Sequence, residues 1–176
     1  MIILSLIIML VAVAVTTAGC ISDFRYMRIP NRYSLAIAVG FFLSWVITPS
    51  VFFALWEHVM AAVLMLGITY ILFVRGMIGG GDCKLGAALA LWTGLPGLMA
   101  YLLYTAMMGG VLGCMGLYMV RKKPFKNPPA DSWIGRAQNG EQQIPYGIAI
   151  SIGAWASFFH IGILSNYLNE VSKIIH

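Results

Sequence analysis

Residues 85–120 read LGAALALWTGLPGLMAYLLYTAMMGGVLGCMGLYMV and contain no charged side chain. As one continuous helix this stretch would be about 54 Å long at 1.5 Å per residue, whereas the hydrocarbon core of a bilayer is roughly 30 Å thick. One crossing is too few for that length. Gly94-Leu95-Pro96-Gly97 interrupts the run, so two crossings with a turn at Pro96-Gly97 are predicted. The first of the two, Leu85 to about Leu95, is short and is expected to tilt, to be partly re-entrant or to extend into the preceding loop.

The rest of the chain agrees with a membrane protein. Of its 176 residues 60% are hydrophobic and 10% are charged, and the mean hydropathy is +0.86, whereas soluble domains carry about 25% charged residues. Spans with internally satisfied backbone groups must be helical here. Working outward from residues 85–120, a span covers about Met1 to Gly19, a second Tyr33 to Ile47, a third Val51 to Val74, and a last one Pro145 to Leu164. The fold class expected is an all-α polytopic bundle of about six transmembrane helices, a single membrane-embedded domain over residues 1–176. Thr17-Ala18-Gly19-Cys20 resembles the end of a lipoprotein signal, but no Lys or Arg precedes it, so Met1 to Gly19 is expected to be retained as a helix.

Charge orients the bundle. Counting six crossings alternately places Asp23 to Arg32, Arg75 to Lys84 and Arg121 to Gln143 on one side, together with ten of the eleven Lys and Arg residues; Lys173 is opposite. By the positive-inside rule that side is cytoplasmic, both termini are extracytoplasmic, and residues 121–144, with prolines at 124, 128 and 129, form a cytoplasmic loop outside the bilayer. The net charge of +5 therefore suits anionic lipid headgroups rather than nucleic acid. Cys20, Cys83 and Cys114 form no CxxC pair, which argues against a zinc or dithiol site and for apolar packing. No metal and no other cofactor is expected.

Before residue 85 stands Gly76-Met77-Ile78-Gly79-Gly80-Gly81-Asp82-Cys83-Lys84, a glycine-rich loop with one acid and one ammonium between two apolar runs. A carboxylate at a membrane edge is costly and calls for a function and a partner. Of the six acids, Asp23 and Asp82 are the two at cytoplasmic ends of spans, and each is followed two residues on by a cation, Arg25 and Lys84. Two carboxylates within a few ångströms do not both ionise readily and share a proton, an arrangement suited to peptide hydrolysis. The glycines at 79, 80 and 81 would let an extended peptide approach the backbone.

Plainer roles stand beside this. Asp82 suits the cap of the following helix, and Asp23 a solvated loop acid paired with Arg25 or Arg28. Lys84 and Arg25 are equally topogenic charges. Gly109, Gly110, Gly113 and Gly116 fall on neighbouring turns and point to close helix packing. Glu57, His58 and His160 map toward the outer side, away from the two acids, and Asp131 and Glu141 are expected to be solvated. The competing function class is a proton- or cation-coupled transporter or channel subunit using the same acids.

Three motifs taken together resemble a known family. Gly79-Gly80-Gly81-Asp82 matches the GxGD signature of intramembrane aspartyl proteases, and its continuation through Lys84-Leu85 is similar to that of the type IV prepilin peptidases. Asp23-Phe24-Arg25 followed by Ile29-Pro30-Asn31 resembles that family's first aspartate motif, and Ile144-Pro145-Tyr146-Gly147-Ile148-Ala149 its closing PYG-x-A motif. The resemblance implies Asp23 and Asp82 as catalytic dyad. It leaves Gly79, Gly80, Gly81, Lys84, Arg25, Pro145, Tyr146 and Gly147 as groups that shape the site or bind substrate. The implied partner is a prepilin, cut in its leader at the cytoplasmic face of a prokaryotic inner membrane. In size the chain looks most like the compact TadV/CpaA-type peptidases of Flp-type pilins, with archaeal preflagellin peptidases as near neighbours. Larger bifunctional members carry an added segment with cysteine pairs and methylate the new N-terminus, so peptidase activity without methyl transfer is expected.

Overall fold

The computed structural model describes residues 1–141 and 143–175, with the backbone alone for 173–175. Among the described residues the chain is all-helical: α1 (Ile2–Tyr26), α2 (Asn31–Ile47), α3 (Leu55–Val74), α4 (Gly80–Lys122), α5 (Trp133–Gln138), α6 (Tyr146–His160) and α7 (Ile163–Ile175), with a short 3-10 turn at Pro49–Val51. By length and composition α1, α3 and α4 are each able to cross a membrane, and α6 with α7, bent by 48° at their junction, make a fourth candidate. Exposed Leu, Ile, Val, Met and Phe along α1, α2, α3 and α4 give the bundle an apolar outer surface suited to lipid. The protein is a multi-pass membrane protein.

The chain turns where local chemistry allows it. α1 runs past the expected end at Gly19 and stops at Met27, which takes a left-handed conformation (φ 52°) and donates its N–H to the Asp23 carbonyl. Pro30 then precedes α2, and a proline disfavours helix in the residue before it. α3 begins at Leu55, later than Val51, because Pro49 to Val51 forms the 3-10 turn. It ends at Gly76 (φ 72°), where Met77 N–H reaches the Leu72 carbonyl and closes the last turn.

The long run is broken, but at Gly94 rather than Pro96-Gly97. Gly94 has φ 65° and ψ 178°, a backbone shape that costs a side chain most and glycine least. Two residues on, Pro96 begins the second half without an N–H to satisfy. The halves fold back on each other: the Tyr101 hydroxyl donates to the Gly86 carbonyl at 3.3 Å, although fifteen residues of straight helix span about 22 Å. Side chains from α3 and α6 brace the turn. His58 Nδ1 meets the Leu91 carbonyl at 2.6 Å, and Ser157 Oγ donates to the Gly97 carbonyl at 2.8 Å. His58 thus has a packing role at this end of the bundle, among Phe41, Phe52 and Phe53.

The first half of α4 is the centre of the core. Its residues Leu85, Leu89, Ala90 and Trp92 are almost wholly buried, packed with Ile37 and Phe41 of α2 and Ala61 and Met65 of α3. Trp92 Nε1 donates to the Ile37 carbonyl at 3.0 Å, so the indole satisfies its polar atom while filling the core. The second half is about twice as long and carries Arg121 and Lys122 beyond the first half's end. Residues 121–145 are more than a proline-rich loop. Ser132 caps α5 by accepting from Gly135 N–H, and Trp133, 2% exposed, packs edge-on against Phe24 of α1. Within this stretch Asp131 is exposed, Glu141 pairs with Arg136 at 3.8 Å, and Gln142 lies outside the described residues.

α7 turns away at Gly162 (φ 71°) and covers the other end of the bundle. There the Tyr167 hydroxyl and Ser5 Oγ are 2.8 Å apart, and Thr48 Oγ1 donates to Ser5 at 2.7 Å. These contacts hold the start of α1 at the end opposite Asp23.

Candidate active site

Asp23 and Asp82 come from opposite ends of the sequence's helical logic and meet in one cleft. Asp23 lies in the last turns of α1, on the buried side of a helix that faces lipid elsewhere, and is 5% exposed. Asp82 is the third residue of α4 and is 7% exposed. Both line a polar cleft of about 200 Å³ together with Met27, Gly79, Gln143 and Ile144, and both line a second, 240 Å³ opening toward Arg28 and Ile29.

Each carboxylate is held by a backbone amide at the start of a helix. Asp82 Oδ2 accepts Gly79 N–H at 2.8 Å, a capping box at the α4 N-terminus. Asp23 Oδ2 accepts Gly147 N–H at 2.9 Å, at the N-terminus of α6. The positive ends of two helix dipoles therefore face the pair. Among the described residues neither acid makes an ion pair. Burying two carboxyl groups without a cation is unfavourable for a doubly charged state. Asp82 Oδ1 is buried and has no hydrogen-bond partner among the described residues, an unmet acceptor of the kind that functional sites retain.

Asp82 is thus a helix cap and also a cleft-lining acid, since its two oxygens serve separately. Asp23 is not a solvated acid beside Arg25 or Arg28: it is buried inside the bundle, and Arg25 is exposed and makes no ion pair among the described residues. Lys84 is exposed as well and donates to Asn31 Oδ1 at 3.0 Å, tying α4 to the start of α2 rather than touching Asp82. Lys84→Ala should therefore lower stability by no more than about 1 kcal/mol and change turnover by only a few-fold, as thermal unfolding and an activity assay on the purified protein can check.

The glycines serve the protein's own packing. A Cβ on Gly81 would come within 3.0 Å of the Ile29 carbonyl oxygen, so Gly81 lets α4 approach the α1–α2 turn. A Cβ on Gly79 would meet Asp82 Oδ2 at 3.1 Å, while Gly80 faces Phe73. Gly147 is the tightest of these four: its Cβ would lie 2.6 Å from Ile29 Cδ1 and 2.8 Å from Asp23 Oδ2. Its carbonyl accepts from Ser151 Oγ at 2.7 Å and weakly from Cys20 Sγ at 3.8 Å, so the peptide is fixed from both sides. Pro145 precedes the helix and is buried, and Tyr146 packs on Gly109 of α4.

Sequence reasoning missed Ile29, which wedges between Gly81 and Gly147, and it missed Gln143 and Ile144 in the cleft wall. Ile29 and Ile144 stand inside the quoted motifs. Gln143 carries no signal, because only the fold-back of residues 121–145 brings it to the acids.

A model of the type IV leader peptidase family matches residues 5–114, which include both aspartates and stop short of Gly147. Over 82 residues the chain is 30% identical to the prepilin leader peptidase/N-methyltransferase of Xanthomonas campestris pv. campestris. That match covers 47% of this chain and 23% of the relative, so the chain spans about a quarter of that protein's length. No solved structure matches the chain. With nearly two thirds of its length matched, both buried aspartates included, the chain belongs to the type IV leader peptidase family.

Proposed function

We propose that the chain is a membrane-embedded aspartyl endopeptidase that cuts the leader of a type IV, Flp-like prepilin, with Asp23 and Asp82 as its catalytic pair. Family membership supports prepilin peptidase activity. The observation that carries the assignment to residues is that two buried acids, without an ion-pair partner among the described residues, share one cleft and are each held by a helix N-terminal amide.

In this reading the pair holds one proton between two carboxyl groups. The ionised member takes a proton from water as the water oxygen bonds to the scissile carbonyl carbon, and the protonated member donates to the carbonyl oxygen as negative charge develops there. Collapse of the tetrahedral intermediate breaks the C–N bond while a proton passes to the leaving nitrogen, giving a carboxylic acid and a free amine. Asp82 Oδ1, without a partner among the described residues, has capacity to meet water or the carbonyl. The Gly147 and Gly79 amides hold Asp23 Oδ2 and Asp82 Oδ2 and fix both carboxyls in place. No residue is assigned to methyl transfer, and no metal or cofactor takes part.

The membrane arrangement belongs to the same proposal. Six crossings in a single domain put the cleft at the cytoplasmic face of a prokaryotic inner membrane, next to anionic headgroups. The reversal at Gly94 supports it, because it returns the second half of α4 and its basic end toward the two acids. A reporter fused after Lys126 should read cytoplasmic, and an external signal would contradict the six-span arrangement. Co-expression with a prepilin should yield a faster-migrating product whose N-terminal sequence begins after the leader. An unprocessed substrate would contradict the peptidase reading.

A further inference from the structure

Two spaces abut at the aspartates, and they differ in charge. One is the cleft of about 200 Å³ that continues to Met77, Ile78 and Gln143; the other, of about 240 Å³, continues to Arg28, Ile29 and Gly81. Asp23, Asp82, Met27 and Gly79 stand in the wall of both. A peptide bond set on the pair therefore places the residues before it in one space and the residues after it in the other. Among the described residues, Arg28 is the one cation lining either space.

The neighbouring cations are engaged elsewhere or point away. Lys84 donates to Asn31 Oδ1 at 3.0 Å, Arg32 lies over the Tyr33 ring at 5.3 Å from its centroid, and Arg25 lines neither space. Arg28 is exposed and makes no ion pair among the described residues. Its backbone is nonetheless fixed. Met27 before it takes the left-handed conformation, Ser22 Oγ donates to the Arg28 carbonyl at 2.8 Å, and Ile29 after it is wedged against Gly81 and Gly147. A charge carried on a pinned turn at the rim of the cleft loses less freedom when it binds. The two aspartates do not use it, since their oxygens are held by the Gly147 and Gly79 amides.

We propose that Arg28 is a specificity-determining residue that takes a side-chain carboxylate of the protein substrate on one side of the scissile bond, while the space past Met77 and Gln143, without a cation, takes the other side. The proposal rests on the peptidase reading above and adds which charge the substrate carries beside its cut. A guanidinium meets a carboxylate with two parallel N–H donors, and the same charge keeps a lysine out of that space.

The test is a charge scan of a membrane-anchored prepilin, with Glu, Ala or Lys placed in turn at each of the first few positions on both sides of the scissile bond. Wild-type protein should prefer Glu over Lys in kcat/KM at least about fivefold, the upper range of an exposed ion pair, on a single side of the cut. On the other side the ratio should stay near one. Arg28→Gln should bring the preference close to one, and Arg28→Glu should turn it in favour of Lys, a reversal that a purely structural or topogenic role does not produce. Arg32→Gln, an equal loss of charge in the same segment, is the control and should keep the wild-type ratio. Should Arg28→Glu fail to accumulate, the wild-type scan and Arg28→Gln still decide. A wild-type ratio near one at every position overturns the proposal, and so does a preference that survives in Arg28→Gln. An equal loss on all substrates in Arg28→Gln overturns it too, because the guanidinium would then serve the aspartates, the fold or the headgroups. Wild-type protein that cuts none of the substrates contradicts the peptidase reading itself and removes both claims.

Discussion

Asp23→Asn and Asp82→Asn should each reduce prepilin cleavage by at least about 10³-fold while leaving the folded protein intact, because each removes a proton carrier from the reaction and leaves the cleft's hydrogen bonds in place. Asn keeps a carbonyl oxygen for the Gly147 or Gly79 amide, so the anchoring contacts at 2.9 and 2.8 Å survive. Alanine separates the two roles of Asp82. Asp82→Ala also deletes the α4 cap and should lower stability by about 1 kcal/mol relative to Asp82→Asn, with equally little activity. Thermal unfolding in detergent, run beside the cleavage assay, distinguishes the lost cap from the lost chemistry.

Gly147→Ala is the second large effect. The added methyl would sit 2.6 Å from Ile29 Cδ1 and 2.8 Å from Asp23 Oδ2, well inside contact distance. Ile29 stands next to Pro30, which fixes the turn into α2, so the wedge has little room to retreat. Gly147 itself is held through its carbonyl by Ser151. Relief must then come from Asp23, pushed off the α6 amide. Overpacking of this kind costs about 1–3 kcal/mol, and a displacement near 1 Å of a reacting group costs on the order of 10²-fold in rate. Cleavage should fall by that factor with KM little changed. An Ile29→Val partner substitution, which removes the clashing Cδ1, should restore part of the rate.

Much of this site was readable in advance, and the reasons differ from residue to residue. The two acids stood out because an all-apolar chain leaves few places for charge, and charge counting placed both at one end of the bundle. The motifs around them carried Gly147 and Pro145. What the sequence hid was the purpose of the glycines. Gly79, Gly81 and Gly147 clear space for Asp82, Ile29 and Asp23 of the protein itself, and such close approaches depend on helix ends that are far apart in the chain. Lys84 and Arg25 follow the acids at equal spacing, yet both side chains leave the site, since a step of two along a helix turns a residue to another face.

Helix boundaries were legible where proline or glycine forces them and blurred where packing decides. The reversal in residues 85–120 followed from length alone. Its position moved from Pro96-Gly97 to Gly94 because glycine supplies the positive φ that the turn needs, whereas proline simply opens the next helix. In residues 121–145 the prolines and charges pointed to loop, and they concealed a short helix that exists because Trp133 has Phe24 to cover. No local pattern in that segment announces α1 as its partner.

The most direct test of two aspartates acting as one site is a double-mutant cycle on the cleavage rate of a membrane-anchored prepilin, with Asp23→Asn, Asp82→Asn and the double variant purified and assayed together. Residues that work as a unit are strongly non-additive. The double variant should be no more than a few-fold slower than either single variant. Retained cleavage in one of the single variants, or losses that multiply in the double, would contradict the shared site.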